Sequence, residues 1–159
     1  MDDTKEHRHR SPYLRFAAMI GASTVVMFGL MYLNTYQADH VVFSQTRAWM
    51  AVVMGAAMAL VMLAFMTHML DNKVANFGIA LGGVAVFAVS LWLVRSQATV
   101  DDVGYMKAMI PHHSIAILTS SRARIDDARV RKLADGIIET QVREIGEMKA
   151  LIEDLDRKR

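Results

Sequence analysis

The chain has 159 residues, 53% hydrophobic and 21% charged, with a formal net charge of +2. So small a net charge, with basic and acidic residues interleaved from Arg95 onward, excludes a phosphate-binding patch and hence nucleic acid as a partner. Cysteine is absent, which rules out disulfides, thiolate zinc sites and thiol nucleophiles.

Residues 1–12 read as a cytoplasmic tail carrying Lys5, Arg8 and Arg10, with His7 and His9 part of the same basic, lipid-facing segment. From Tyr13 to Val94 the only charged side chains are Arg15, Asp39, Arg47, Asp71 and Lys73. A stretch this long and this apolar is solvated by lipid, and residues 13–95 are expected to form three transmembrane helices over about 14–36, 47–70 and 74–94. The first run is too long for the apolar region of a signal peptide and has no small-x-small cleavage site after it, so it is read as retained. Gly78, Gly82 and Gly83 on the third helix, with Ala51, Gly55 and Ala59 on the second, permit close approach of an antiparallel pair joined by Asp71-Asn72-Lys73.

Met50, Met54, Met58, Met62 and Met66 recur every fourth residue along the second span, with Met69 completing the row and His68 at its end. Such a row either passes Cu(I) along thioethers or fills gaps between helices. Packing is favoured, because the spans offer almost no polar group at mid-membrane. Four Lys/Arg flank the first span on its N-terminal side, against one in the loop 37–47, so the N-terminus is cytoplasmic and everything after Val94 lies outside. The expected location is multi-pass in a bacterial inner membrane, with a periplasmic C-terminal domain.

Residues 96–159 read as two antiparallel helices. Thr99 is the expected N-cap of the first, which runs to about Arg124; Asp126-Asp127 forms the turn, and Asp127 caps the second, which runs to about Leu155. The apolar stripe of that second helix is read as Val130, Leu133, Ile137, Gln141, Met148 and Ile152. Two helices of this size bury too little surface to stand alone. Asp39-His40, in the loop between the first two spans, is read as a solvated turn, with extension of a metal site as the lesser reading.

The most specific string is Tyr105-Met106-Lys107-Ala108-Met109-Ile110-Pro111-His112-His113. Met106, Met109 and His113 share a helical face, with His112 on its flank. Pro111 cannot donate to the Lys107 carbonyl, so a kink is expected before the histidines. Folding the hairpin about Asp126 brings Met109 opposite Glu144, Met106 opposite Met148 and His113 near Gln141. Thioethers with imidazoles suit Cu(I) or Ag(I), and a carboxylate with imidazoles suits Cu(II) or Zn(II). A His113 satisfied by Glu144 or Gln141 without metal is the competing reading.

Met-Ile-Pro-His-His at 109–113, the Val-Arg-x-Leu-Ala start at 130–134 and Ile-Ile-x-x-Gln-x-x-Glu-Ile-x-x-Met from Ile137 to Met148 resemble the domain-of-unknown-function 305 family over about residues 100–155. The resemblance implies a ferritin-like helical domain and, for some members, periplasmic copper binding through Met and His. It makes Met109, His112, His113, Glu144 and Met148 candidate ligands; spacing adds Met106 and Gln141. Many members of that family carry two such hairpins in one chain. The single hairpin here implies a homodimer that rebuilds four helices.

The chain is thus expected to be all-α: three transmembrane helices, then an extracytoplasmic two-helix hairpin completing a four-helix bundle as a homodimer. Its expected function is that of a membrane-anchored metal-binding protein of copper or silver homeostasis or resistance, with a copper ion as ligand. The alternative is a metal-free interaction module in which the hairpin dimerises. No enzyme is expected. Neither Glu144 nor Glu147 is followed by a His three residues on, as ferritin-like di-metal sites require, and no nucleophile elbow is present.

Overall fold

Five helices follow one another in the computed structural model, which describes the backbone of residues 3–158 and the side chains of residues 12–158. The side chains of His7 and His9, read as part of the basic tail, lie outside the described residues. The helices are α1 (Asp3–Leu30), α2 (Gln45–Met66), α3 (Lys73–Ser96), α4 (Asp102–Arg122) and α5 (Ala128–Arg157), with a single 3₁₀ turn at Ala38–His40. No strand occurs among the described residues. The chain divides into two compact units, one of residues 1–30 and 48–98, the other of residues 31–47 and 99–159.

Three segments, all but residues 45–47 in the first unit, are long and apolar enough to cross a membrane: Pro12–Leu30, Gln45–Met66 and Lys73–Ser96. At 1.5 Å per residue each covers about 28 Å or more, the thickness of a hydrocarbon core. Their large apolar side chains point outward, Val25, Phe65, Val74 and Phe77 among them, as lipid-facing helices require.

The first span ends sooner than expected, at Leu30 rather than near residue 36, and Met31–Arg47 joins the second unit. The second span ends at Met66, so its link to α3 is longer than Asp71-Asn72-Lys73 alone. Asn72 then caps α3, its Oδ1 accepting from the amides of Val74 and Ala75 at 3.0 Å each. The Tyr13 hydroxyl of α1 donates to Asn76 Oδ1 at 2.8 Å and fastens α1 to that corner.

The glycines divide differently from the expected α2–α3 seam. A Cβ on Gly83 would stand 2.8 Å from the Leu60 side chain, a close α2–α3 approach. A Cβ on Gly55 would collide with Thr24 Oγ1, so that glycine admits α1 instead; Gly78 and Gly82 face open space. Of the methionine row, Met62 and Met66 pack on the cluster of Phe16, Leu63 and Leu70, while Met50 and Met69 are exposed. Packing accounts for the two inner members.

In the second unit, α4 and α5 form the hairpin. Asp101, not Thr99, caps α4: its Oδ1 accepts from the Gly104 amide at 2.7 Å, and Asp102 is the first helical residue. Asp127 caps α5 as expected, accepting from the amides of Arg129 and Val130. α4 runs unbroken through Pro111. The core comprises Val103, Met106, Ile110, Ile117, Ile145 and Met148, with Val42, Met109, Ile138, Ile152 and Leu155 packed against it.

The buried stripe of α5 therefore differs from the expected one in its N-terminal half. Ala134 is buried and Ile138 packs on the core, while Val130 and Leu133 are exposed. Two apolar lines run down that half of the helix, and periodicity alone does not say which one α4 covers.

Candidate functional site

The pairing of α4 with α5 joins two of the expected site residues directly. His113 Nε2 lies 2.8 Å from Glu144 Oε2, and His113 Nδ1 lies 2.9 Å from the Met109 carbonyl oxygen one turn back. Gln141 Nε2 approaches the same Glu144 oxygen at 3.5 Å. Both neighbours of the His113 ring are acceptors, so a doubly protonated ring donates to both. With a single proton held on Nδ1 by the carbonyl, Nε2 and the Glu144 oxygen are two acceptors face to face, a contact that a proton or a cation between them would relieve. A metal-ligating imidazole is commonly oriented in this way, by a backbone carbonyl on its other nitrogen.

Burial separates the roles of the remaining candidates. Met106 and Met148 are buried together in the hairpin core, and Met109 lies partly buried against them. The His113 side chain is 11% exposed and that of Glu144 is 39% exposed, so the pair sits where the dry core meets solvent. His112 is exposed; its ring centroid is 6.1 Å from that of His113, edge to face. Thus His113, Glu144 and Gln141 converge, the three thioethers form the adjoining core, and His112 stands outside. Among the described residues no group of three or more His, Asp or Glu side chains gathers as a metal cage, so any soft-metal site draws on thioethers or on a second molecule.

The loop before α2 contributes what the sequence reading missed. His40, expected in a solvated turn, is buried. Its Nδ1 lies 2.9 Å from Ser114 Oγ, and Ser114, fully buried, also accepts from the Tyr36 amide at 2.7 Å. Asp39 remains exposed and meets Lys149 Nζ of α5 at 2.6 Å, which holds its carboxyl below the usual carboxylate range. Burial pushes the His40 ring below its ordinary pKa, with Lys149 adding to that effect and Asp39 opposing it. The loop is thereby latched to α4 at the residue following His113, and to α5 one residue beyond Met148. Only the apolar run Val41-Val42-Phe43 could have signalled that this segment docks; Val42 does pack on the hairpin core.

Residues 102–159 match the family model described as Domain of unknown function (DUF305). A relative, Uncharacterized protein L153 of Acanthamoeba polyphaga mimivirus, is 37% identical over 73 residues, covering 45% of this chain and 48% of that protein. The chain thus spans about half the length of that relative. No solved structure matches the chain.

Proposed function

Through residues 102–159 the chain belongs to the family described as Domain of unknown function (DUF305), and on that premise we propose a membrane-anchored protein that binds a soft metal ion, copper or silver, outside the cytoplasm. The three apolar spans fix it in a bilayer; we take this to be a bacterial plasma membrane, with the N-terminus inside by the bias of Lys and Arg. The hairpin captures the ion for buffering or for transfer to a partner.

The observation that carries this reading is the His113 ring: one nitrogen is held by the Met109 carbonyl at 2.9 Å and the other is directed at Glu144 at 2.8 Å, beside a core built on Met106 and Met148. The donor chemistry fits. Imidazole and thioether together favour Cu(I) or Ag(I), and the carboxylate extends the set to Cu(II). His113 and Glu144 would hold the ion, with Met106, Met109 and Met148 of the hairpin core as candidate sulfur donors, Gln141 steadying Glu144 and His112 on the solvent side. The ion supplies no reaction in this reading; it is cargo. For His113 to ligate, its bond to Glu144 must give way or be replaced by the ion.

A second reading has its own support. The 2.8 Å His113–Glu144 contact satisfies both side chains without any ion, as expected of an interaction module whose hairpin pairs with another copy. One titration separates the two. Full-length protein in detergent is melted with and without Cu(I) or Ag(I), alongside a variant carrying His112→Ala and His113→Ala. Metal-dependent stabilisation that the variant loses supports metal binding. A metal-insensitive melt with loss of dimers in the variant supports the interaction module.

A further inference from the structure

α5 carries a second face that α4 does not cover. Arg129, Leu133, Gly136, Ile137, Thr140 and Gln141 line an open groove of about 540 Å³ along it. Val130, Leu133 and Leu151 are all about half exposed or more, and a Cβ on Gly136 would meet nothing within 4 Å. Small residues at 136 and 140 flanked by Leu133 and Ile137 form a seat for another helix backbone.

Along this face Arg129 and Lys132 lie toward one end, with Arg129 exposed and held at 2.8 Å by Asp127 of its own chain, while Glu144 and Glu147 lie toward the other, where Arg143 stands among them. Arg129 and Glu147 are separated by about five full turns at 3.6 residues per turn, so they stand on one line along the face. A helix with opposite charges at the two ends of a single face is complementary to its own reversed copy. It is not complementary to a uniformly charged surface such as an anionic bilayer.

We propose that a second copy of this chain packs its α5 antiparallel on this face, about a two-fold axis beside residue 138. That register sets Arg129 of each copy level with Glu147 of the other, and Gly136 level with Thr140. Arg143, 3.7 Å from Glu147 within its own helix, flanks the pair. Leu133 of the second copy comes level with residue 143, next to the half-exposed Glu144, and closes the solvent side of the His113–Glu144 pair. The inference deepens the metal-binding reading, because each copy's site is then sealed by the other's Leu133. The hairpin's small size favours the same outcome, since two helices alone leave one face wet.

The native chain has no cysteine, so introduced ones report without interference. Full-length protein carrying Gly136→Cys and Thr140→Cys together, in lipid nanodiscs or detergent with a chelator present, is oxidised with diamide. The expected result is a covalent dimer linked between position 136 of one copy and position 140 of the other. In the cysteine-free chain Arg129→Glu is expected to weaken dimerisation roughly tenfold by placing like charges at both ends of the interface, and adding Glu147→Arg restores it. A protein that stays monomeric, that links through other positions only, or whose dimer ignores Arg129→Glu overturns the proposal. Because metal is excluded throughout, cross-linking by a protein that later binds no copper would leave the dimer standing while the metal reading fell.

Discussion

Glu144 Oε2 sits 2.8 Å from His113 Nε2, the one described hydrogen-bond contact between side chains that crosses from α4 to α5. It is set at the edge of the hairpin core, where Ile145 and Met148 of α5 are buried. A charge-assisted hydrogen bond in this half-exposed position is worth about 1–2 kcal/mol. Glu144→Ala should therefore lower the apo protein's stability by about that amount, and Glu144→Gln by less, because the amide can still accept from the ring. Thermal or denaturant melts of the full chain without metal check the order.

Ser114 and His40 predict a pH dependence. The His40 ring is held below its ordinary value by burial, so the folded state prefers it neutral while the unfolded chain takes up a proton near pH 6.5. Stability from this group is intact above about pH 6.5 and falls as pH drops below it. Wild type should thus lose stability between pH 7 and pH 5.5. His40→Asn, which keeps a polar contact within reach of Ser114 but cannot titrate, should lose less over the same interval. Melts of both proteins across that range decide it.

The cap of α5 should be titratable by acid. Asp127 accepts from the amides of Arg129 and Val130 and pairs with Arg129, and its carboxyl is held below the usual range, first by the hydrogen bond from the Arg129 side chain. Asp127→Ala should lower stability at neutral pH, because the amides of Arg129 and Val130 lose their acceptor. The difference between variant and wild type should shrink below about pH 4, as the wild-type carboxylate is itself protonated in the unfolded and then the folded chain. Asp101→Ala should cost about as much at α4, measured the same way.

The glycines of the three apolar helices give a paired test. Gly55 faces Thr24 and Gly83 faces Leu60, each closer than a Cβ permits, whereas Gly78 and Gly82 face open space. Gly55→Leu should destabilise the three-span unit by about 1–3 kcal/mol through overpacking. Gly78→Ala should be neutral or slightly stabilising, because it replaces the poorer helix former. Retention of a monodisperse, helical protein in detergent on heating is the readout.

Much of this was legible in the sequence. Uninterrupted apolar runs identified the three spans, and Asp127 identified the start of α5, because both signals are local. Folding a two-helix hairpin about its turn sets Met109 opposite Glu144 and His113 near Gln141, within a turn of the observed partner; the His113–Glu144 bond itself is the one the metal-free reading names. What escaped was non-local. The loop 31–47 belongs with the hairpin because Ser114 offers a buried hydroxyl to His40 and Tyr36, and no local pattern announces a bond between residues 74 positions apart. The wrong half-stripe on α5 has a similar origin. Val130 and Leu133 lie beside Ala134 and Ile138, and choosing between the two lines requires knowing where α4 lies. Gly55 reads as part of the α2–α3 seam yet faces Thr24 of α1, because small residues permit contact without specifying a partner.

The most direct test of the account is X-ray absorption on full-length protein loaded with Cu(I) and freed of loosely held ion by dialysis. About one copper per hairpin should be retained, with nitrogen or oxygen and sulfur scatterers together in its shell, and the nitrogen contribution should be lost in His113→Ala. Protein that retains no copper after dialysis, or that binds it identically without His113, would contradict it.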